Sequence, residues 1–329
     1  MTATAGGAQD LRVGIIDFYG LRRVSEPLAR SAMTVKEGDT ILIAGDARPG
    51  FVRESEHRLS TVPGVRGAHL NLVCCEKGSA IIYVGIEEKN APTLRFRRAP
   101  RGPVRLPPDV VRAGGELSEA HMAAVLRGDA AEDVASGHSL MHDPAARAIQ
   151  ERFIEYARDL ASLRDVLRHS SDADHRALAA EILGYAANKG DVIEDLVYGM
   201  NDSSDAVRNA AVRALGVIAQ AASAASPPTR RIPPGPFIRL LDSPVWTDRN
   251  KAGWALLALT EHRDPELLAT LRRRAIVPLV EMARWKSGGH AMSAVMILGR
   301  IAGQPEEDVQ AAWRRGDRDA VINAALGRR

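Results

Sequence analysis

Asp202-Ser-Ser-Asp-Ala-Val-Arg-Asn-Ala-Ala-Val-Arg-Ala-Leu-Gly-Val-Ile-Ala219 opens with helix-capping residues and then runs apolar at three- and four-residue spacing. Val207, Ala211, Ala214, Leu215 and Ile218 fall on one face of the helix this spacing predicts. The alanines add little bulk, so a neighbouring helix can approach closely and bury Leu215 and Ile218. Such a helix needs copies of itself alongside.

A copy lies upstream. Asp174-His-Arg-Ala-Leu-Ala-Ala-Glu-Ile-Leu-Gly184 matches Ala206–Gly216 at an offset of 216 − 184 = 32, with Arg176, Ala179, Leu183 and Gly184 recurring as Arg208, Ala211, Leu215 and Gly216. Looser copies follow at Arg249–Leu256 and His290–Gly299, with Leu256 and Leu298 in the place of Leu215. Self-similarity at this period marks a stacked solenoid of helical hairpins, each pair burying its apolar face on the next. The pattern Asp-x-x-Val-Arg-x-x-Ala-x-x-Ala-Leu-Gly resembles the second helix of a HEAT repeat of the short bacterial kind. The resemblance implies an α-solenoid; it assigns no activity, because function on such folds lives in the site.

The chain has 329 residues, enough for two domains, with 45% hydrophobic and 26% charged residues, those of an ordinary globular chain. No apolar run reaches membrane-spanning length, so the chain is expected not to span a membrane. Net charge is +3, from 44 basic and 41 acidic residues, too even for the positive field of a nucleic-acid binder. The arginines are nonetheless clustered: Arg95, Arg97, Arg98, Arg101 and Arg105 in one proline-interrupted stretch, and Arg272, Arg273 and Arg274 in another. Residues 1–10 are small and uncharged up to Asp10 and read as a flexible leader. A cytoplasmic leader and the remnant of a secreted precursor both fit it, with a periplasmic or secreted location slightly favoured in the second case.

From Leu11 the pattern changes to strand, helix, helix, strand, strand. Leu11–Gly20 is β-branched and aromatic; Ser25 caps a short helix with Pro27 in its first turn and Leu28, Ala32 and Met33 on its buried side. Val35–Asp39 turns the chain, and a second helix runs from about Phe51 to Thr61. In the next strand Ala68, Leu70, Leu72 and Cys74 share one face and His69, Asn71, Val73 and Cys75 the other; Glu76–Ser79 turns into the strand Ala80–Glu87. Phe18-Tyr-Gly20, Val35-Lys-Glu-Gly-Asp39, Arg58–Arg66 and Tyr83-Val-Gly-Ile-Glu-Glu88 together resemble a POTRA domain, over about a quarter of the chain. That resemblance implies a partner-binding module without catalytic residues, which docks peptides by adding a strand to a sheet edge. With three strands, either Leu11–Tyr19 or Ala68–Cys75 is expected to offer that edge. No barrel or membrane anchor follows here, so membrane insertion of substrates is not implied.

The organisation expected is therefore a leader (1–10), a POTRA-like α+β domain of β-α-α-β-β order (11–92), a Pro/Arg-rich linker with exposed arginines (93–115) and an all-α HEAT-like repeat domain (116–329). Helices are expected from Leu117 to Val134 and from Ala145 to Val166, capping the first repeat. The loop Ala221–Pro236 lengthens the repeat spacing from 32 to 41.

No acid, base and nucleophile converge in a recognisable motif. His138 and His142 stand four apart beside Asp143, but a zinc site needs further ligands, and Ser139 lacks the Gly-x-Ser-x-Gly elbow. Adjacent Cys74 and Cys75 cannot build a disulfide framework, and neighbours in a strand point apart, so no bridge between them is expected. Trp254 and Phe237 are expected in the core; Trp246, Trp285 and Trp313 are less clear. No catalytic, cofactor or metal residues are assigned. The expected function is a protein–protein scaffold using the concave solenoid face and the sheet edge. The rivals are a HEAT-like enzyme of lyase or DNA-glycosylase type and a nucleic-acid binder using the arginine clusters.

Overall fold

The structure, a computed structural model, describes residues 9–43, 48–224 and 232–328. Most of the leader and the centre of the Ala221–Pro236 loop lie outside the described residues. By its own contacts the chain divides into two units: Met1–Leu94 with Leu241–Arg249 and Thr270–Arg329, and Arg95–Leu240 with Asn250–Ala269. The divisions expected at residues 92 and 116 run along the chain in order, whereas here the last helices belong with the sheet.

The sheet of the first unit contains β1 (Gln9–Tyr19), β2 (Thr40–Ile43), β3 (Val65–Glu76) and β4 (Ser79–Glu88), with α1 (Glu26–Ser31) after β1 and α2 (Gly50–Thr61) after β2. Strand order is β2-β1-β4-β3. β1 runs antiparallel to β2 through Gln9–Arg12 and parallel to β4 through Val13–Tyr19, and β3 and β4 form an antiparallel hairpin. The expected β-α-α-β-β order thus gains a strand. β2 is four residues long, too short for its alternation to register. β1 meets β2 only through Gln9–Arg12, so Val13–Tyr19 keeps an outer side beyond β2, and β3 is the other, longer edge.

One face of the sheet buries Val13, Ile16, Leu70, Ile82, Val84 and Ile86 against Ala29 of α1 and Val52 and Leu59 of α2. Leu28, expected inward, is 45% exposed; Ala29 takes the inward position and Ala32 and Met33 pack beside it. Cys74 and Cys75 at the end of β3 are bonded to each other, and the expectation that they stay apart is corrected. The peptide bond between them is cis.

The remaining elements are α3 (Pro108–Leu126), a small hairpin of β5 (Glu132–Asp133) and β6 (Leu140–Met141), α4 (Pro144–Tyr156), α5 (Leu160–His169), α6 (Ala173–Leu183), α7 (Ile193–Gly199), α8 (Asp205–Ser223), α9 (Gly235–Leu240), α10 (Trp246–Leu259), α11 (Pro265–Arg274), α12 (Ile276–Ala283), α13 (Gly288–Ile301), α14 (Glu306–Arg314) and α15 (Arg318–Ala325). α3 starts nine residues before the expected Leu117, because Pro107 and Pro108 sit at its N-cap and first position, where a missing N–H costs nothing. The single helix expected over Ala145–Val166 is two, since Asp159 caps α5 by accepting from the Ser162 N–H.

The second helices of the hairpins are α6, α8, α10 and α13. Leu183, Leu215, Leu256 and Leu298 are each fully buried in them, at the equivalent positions that the repeat assigned. In the second unit α5 packs on α6, and α6 and α7 pack on α8.

The other face of the sheet explains why α12 and α13 join the first unit. Tyr83 of β4 stacks on Trp246 (centroids 5.1 Å apart, planes 14° apart), touches Trp285 at 5.0 Å, and meets His290 Nδ1 through its hydroxyl at 2.8 Å. Tyr19 donates its hydroxyl to the Pro244 carbonyl at 2.8 Å, and Asp17 accepts the Lys286 N–H at 2.7 Å. Gly85 leaves room for this approach: a Cβ there would meet the Pro244 backbone, 2.7 Å from its carbonyl carbon. Trp246 and Trp285 are therefore core residues.

Candidate docking site

The arginine that recurs with the repeat has one local role. Arg176 donates to the Ser170 carbonyl at 3.0 Å, Arg208 to Asp202 at 2.9 Å and Arg249 to Ser243 at 2.6 Å, in each case six residues back in the turn between the paired helices. Arg176 and Arg249 also reach an acid further along the chain. Arg176 holds buried Asp202 through two bonds, 2.8 and 3.0 Å, and Arg249 holds Glu281 at 2.7 Å. These guanidiniums are 1–3% exposed, so they stitch turns to helices and are closed to a partner.

The Arg95–Arg105 stretch is extended, as its prolines dictate, but it is not a free linker. Arg97 N–H bonds the Asn201 carbonyl (2.8 Å) and Gly102 N–H the His169 carbonyl (2.9 Å). The Arg97 guanidinium adds a third cationic bond to Asp202 at 2.9 Å and lies 3.9 Å over the Tyr198 ring, while Arg208 stacks on Phe96 at 3.9 Å. Only Arg95, Arg98, Arg101 and Arg105 keep the expected exposure. In the second cluster Arg272 is likewise committed, bonding the Ala325 and Ile301 carbonyls at helix ends.

The second helices carry a further set of polar side chains. Glu181 of α6 and Arg213 of α8 occupy equivalent positions 32 apart, and Trp254 of α10 follows 41 later. The β5–β6 hairpin places Glu132 on Arg213 at 2.5 and 2.7 Å, and Ser139 donates to Glu132 at 2.6 Å. Burial raises the Glu132 pKa, but the Arg213 charge and the Ser139 bond outweigh it and hold the carboxyl below its ordinary range. Glu181 is pushed the other way by burial, against a weaker pull from Arg213. Half-buried Lys251 is pushed down to about 8 by burial and by the Arg213 charge, opposed by Glu132. One turn beyond it Trp254 is 43% exposed, contrary to the core position expected for it. At the C-terminal end of α3, Met122, Val125 and Leu126 are exposed by 60, 43 and 76%. The ion-paired Glu132 and Arg213, with Lys251 and exposed Trp254 on α10, are the candidate groups of this side of the unit.

The two histidines do not converge on a metal. His138 Nδ1 lies 3.1 Å from Lys189 Nζ, and burial with that ammonium lowers its pKa to about 4. His142 is exposed, and Asp143 caps α4 and pairs with Arg127 at 2.5 Å. Ser139 serves Glu132. Among the described residues no group of three or more His, Cys, Asp or Glu is placed to hold a metal ion. No described helix is long and apolar enough to cross a membrane.

A family model of HEAT repeats matches residues 160–227, which span α5 to α8. Among solved structures, a designed armadillo repeat protein is similar over 67% of this chain and 98% of its own, at 18% identity and a TM-score of 0.38. No curated protein matches the chain. Residues 160–227 are thus similar to HEAT repeats, and an α/β sheet region precedes them in the chain.

Proposed function

We propose that the chain is a non-catalytic docking protein whose second-helix surface, from the end of α3 to α10, takes a segment of another protein. The observation that carries this is exposed Trp254 beside Lys251. A large aromatic on a helix face, next to a half-buried amine with no hydrogen bond of its own among the described residues, suits a segment that brings a carboxylate and an apolar side chain together. The sheet region is proposed to be POTRA-like: α1 and α2 on one face and the β3–β4 hairpin support this, while β2 and the helices on the second face depart from the expected order. Docking by strand addition to that sheet is disfavoured by the capped edges described below.

The test is selection of short peptides from a displayed random library on the native chain. Acidic peptides with an aromatic or aliphatic neighbour should be enriched. Lys251→Glu with Trp254→Ala should weaken them by roughly 30-fold or more, the effect of losing a hot-spot residue. Selected peptides that bind the native and doubly substituted chains alike would refute the assignment.

A further inference from the structure

Both open margins of the sheet are closed by the same device. Beyond β2, the Ile16 N–H of β1 donates to Glu37 Oε1 at 2.9 Å, while its carbonyl accepts from Arg30 Nη2 at 3.1 Å and Lys286 Nζ at 3.3 Å. Glu37 and Lys286 are themselves paired at 2.6 Å. On β3 the Leu70 N–H donates to Glu56 Oε1 at 2.8 Å and its carbonyl accepts from Arg48 Nη2 at 3.2 Å. Arg48 and Glu56 are joined by two bonds, 2.8 and 2.6 Å. At each margin a carboxylate stands where a neighbouring strand's carbonyl would be, and a cation where its N–H would be.

The two margins differ in what remains around the cap. Beside Ile16, the Val13 carbonyl and N–H are already satisfied by Gly38 and Asp39. Beside Leu70, residues 68 and 72 have the same outward parity, and among the described residues no hydrogen bond reaches their outward groups. Among the described residues, Ala68, Leu70 and Leu72 therefore form three consecutive outward donor–acceptor sites, of which the middle one is blocked.

We propose that the β3 edge is a latent self-pairing surface, held closed by the Arg48–Glu56 pair, through which two copies of this chain join when the pair is removed. An antiparallel β3–β3 contact with its two-fold axis at Leu70 sets Leu70 opposite Leu70, with Ala68 opposite Leu72 on either side. Every outward N–H then faces an outward carbonyl, and the edge is its own complement. Charged residues turned onto an edge are a known means of keeping sheets apart, and here the charges also occupy the backbone groups.

The experiment compares the native chain with Arg48→Ala/Glu56→Ala by light scattering across a wide concentration range, with circular dichroism to verify folding and amide exchange read at Ala68, Leu70 and Leu72. Expected are a monomeric native chain, a doubling of mass in the double variant, and slowed exchange at all three amides in the dimer. Adding Leu72→Pro, which deletes one outward donor, should return the variant to monomer. Should the double variant fail to fold, Glu56→Ala alone, which removes the acceptor on the Leu70 N–H and leaves Arg48 in place, should still raise the dimer fraction. A folded variant that stays monomeric, one that only pairs with unrelated peptides, or a dimer indifferent to Leu72→Pro would overturn the proposal.

Discussion

Replacing Asp202 by Ala removes the acceptor on which the first part of the helical unit converges. Its carboxylate, fully buried, takes two bonds from Arg176, one from Arg97 and one from the Ser204 N–H at the start of α8. Deleting it leaves the Arg176 guanidinium, 1% exposed, with the Ser170 carbonyl as its one hydrogen-bond partner among the described residues. Breaking a buried ion pair from one side costs about 3–5 kcal/mol, because the remaining charge stays desolvated. At about 2–4 °C per kcal/mol for a unit of this size, the melting temperature should drop by roughly 6–20 °C. Arg97 loses its anchor as well, so trypsin should cut the Arg95–Arg105 stretch faster. The pH dependence carries a second signature. Burial opposes the charge, but the Arg176 bond, the Ser204 N–H and the Arg176 and Arg97 charges hold the Asp202 carboxyl below its ordinary range. Its contribution is thus present above the unfolded carboxylate value of about 3.9 and is lost as pH falls through the lower folded value, so the variant's acid-side profile should be flatter. Replacing Asp202 by Leu and Arg176 by Met together should recover most of the loss. A drop of less than about 1 kcal/mol for the single Ala variant would refute the assignment of Asp202 as the anchor of the arginine ladder.

Truncating Leu215 to Ala, at a fully buried repeat position, should cost about 2–5 kcal/mol in denaturant titration, and an unchanged midpoint would break the repeat alignment. His138, lowered to about 4 by burial and by Lys189, binds its proton more readily in the unfolded chain. Stability should therefore fall as pH drops from about 6.5 towards 4, and His138→Asn should blunt that part of a thermal-melt profile.

The parts of the fold set by period were legible, because Leu183, Leu215, Leu256 and Leu298 need only their local neighbours to fix the helical phase. The recurring arginine was visible too, but not its reach of six residues back to a turn carbonyl. Proline density identified an extended stretch correctly, yet Arg97 and Phe96 dock through partners at Asp202 and Arg208, more than a hundred residues away. The run Ala80-Ile-Ile-Tyr-Val-Gly-Ile86 carried a usable signal: an apolar run without alternation belongs to a strand covered on both faces. What covers it, Trp246, Trp285 and His290, has no local mark in the sequence. Trp254 illustrates the opposite failure, since an aromatic on an alanine-rich helix reads as core when its phase places it on the surface. The pairing of Glu132 with Arg213 was not legible, because it runs through a hairpin whose strands have only two residues each.

The pairing of Tyr83 with Trp285 has a consequence in time. The ribosome emits the sheet first and Trp285 comes 285 − 83 = 202 residues later, an interval of roughly 10–40 s at about 5–20 residues per second. Through that delay one side of the nascent sheet, with Tyr19, Tyr83 and Gly85, faces water while the helical repeats are being made. The chain must keep that side unoccupied until its own last helices arrive, and chaperone engagement is most useful there.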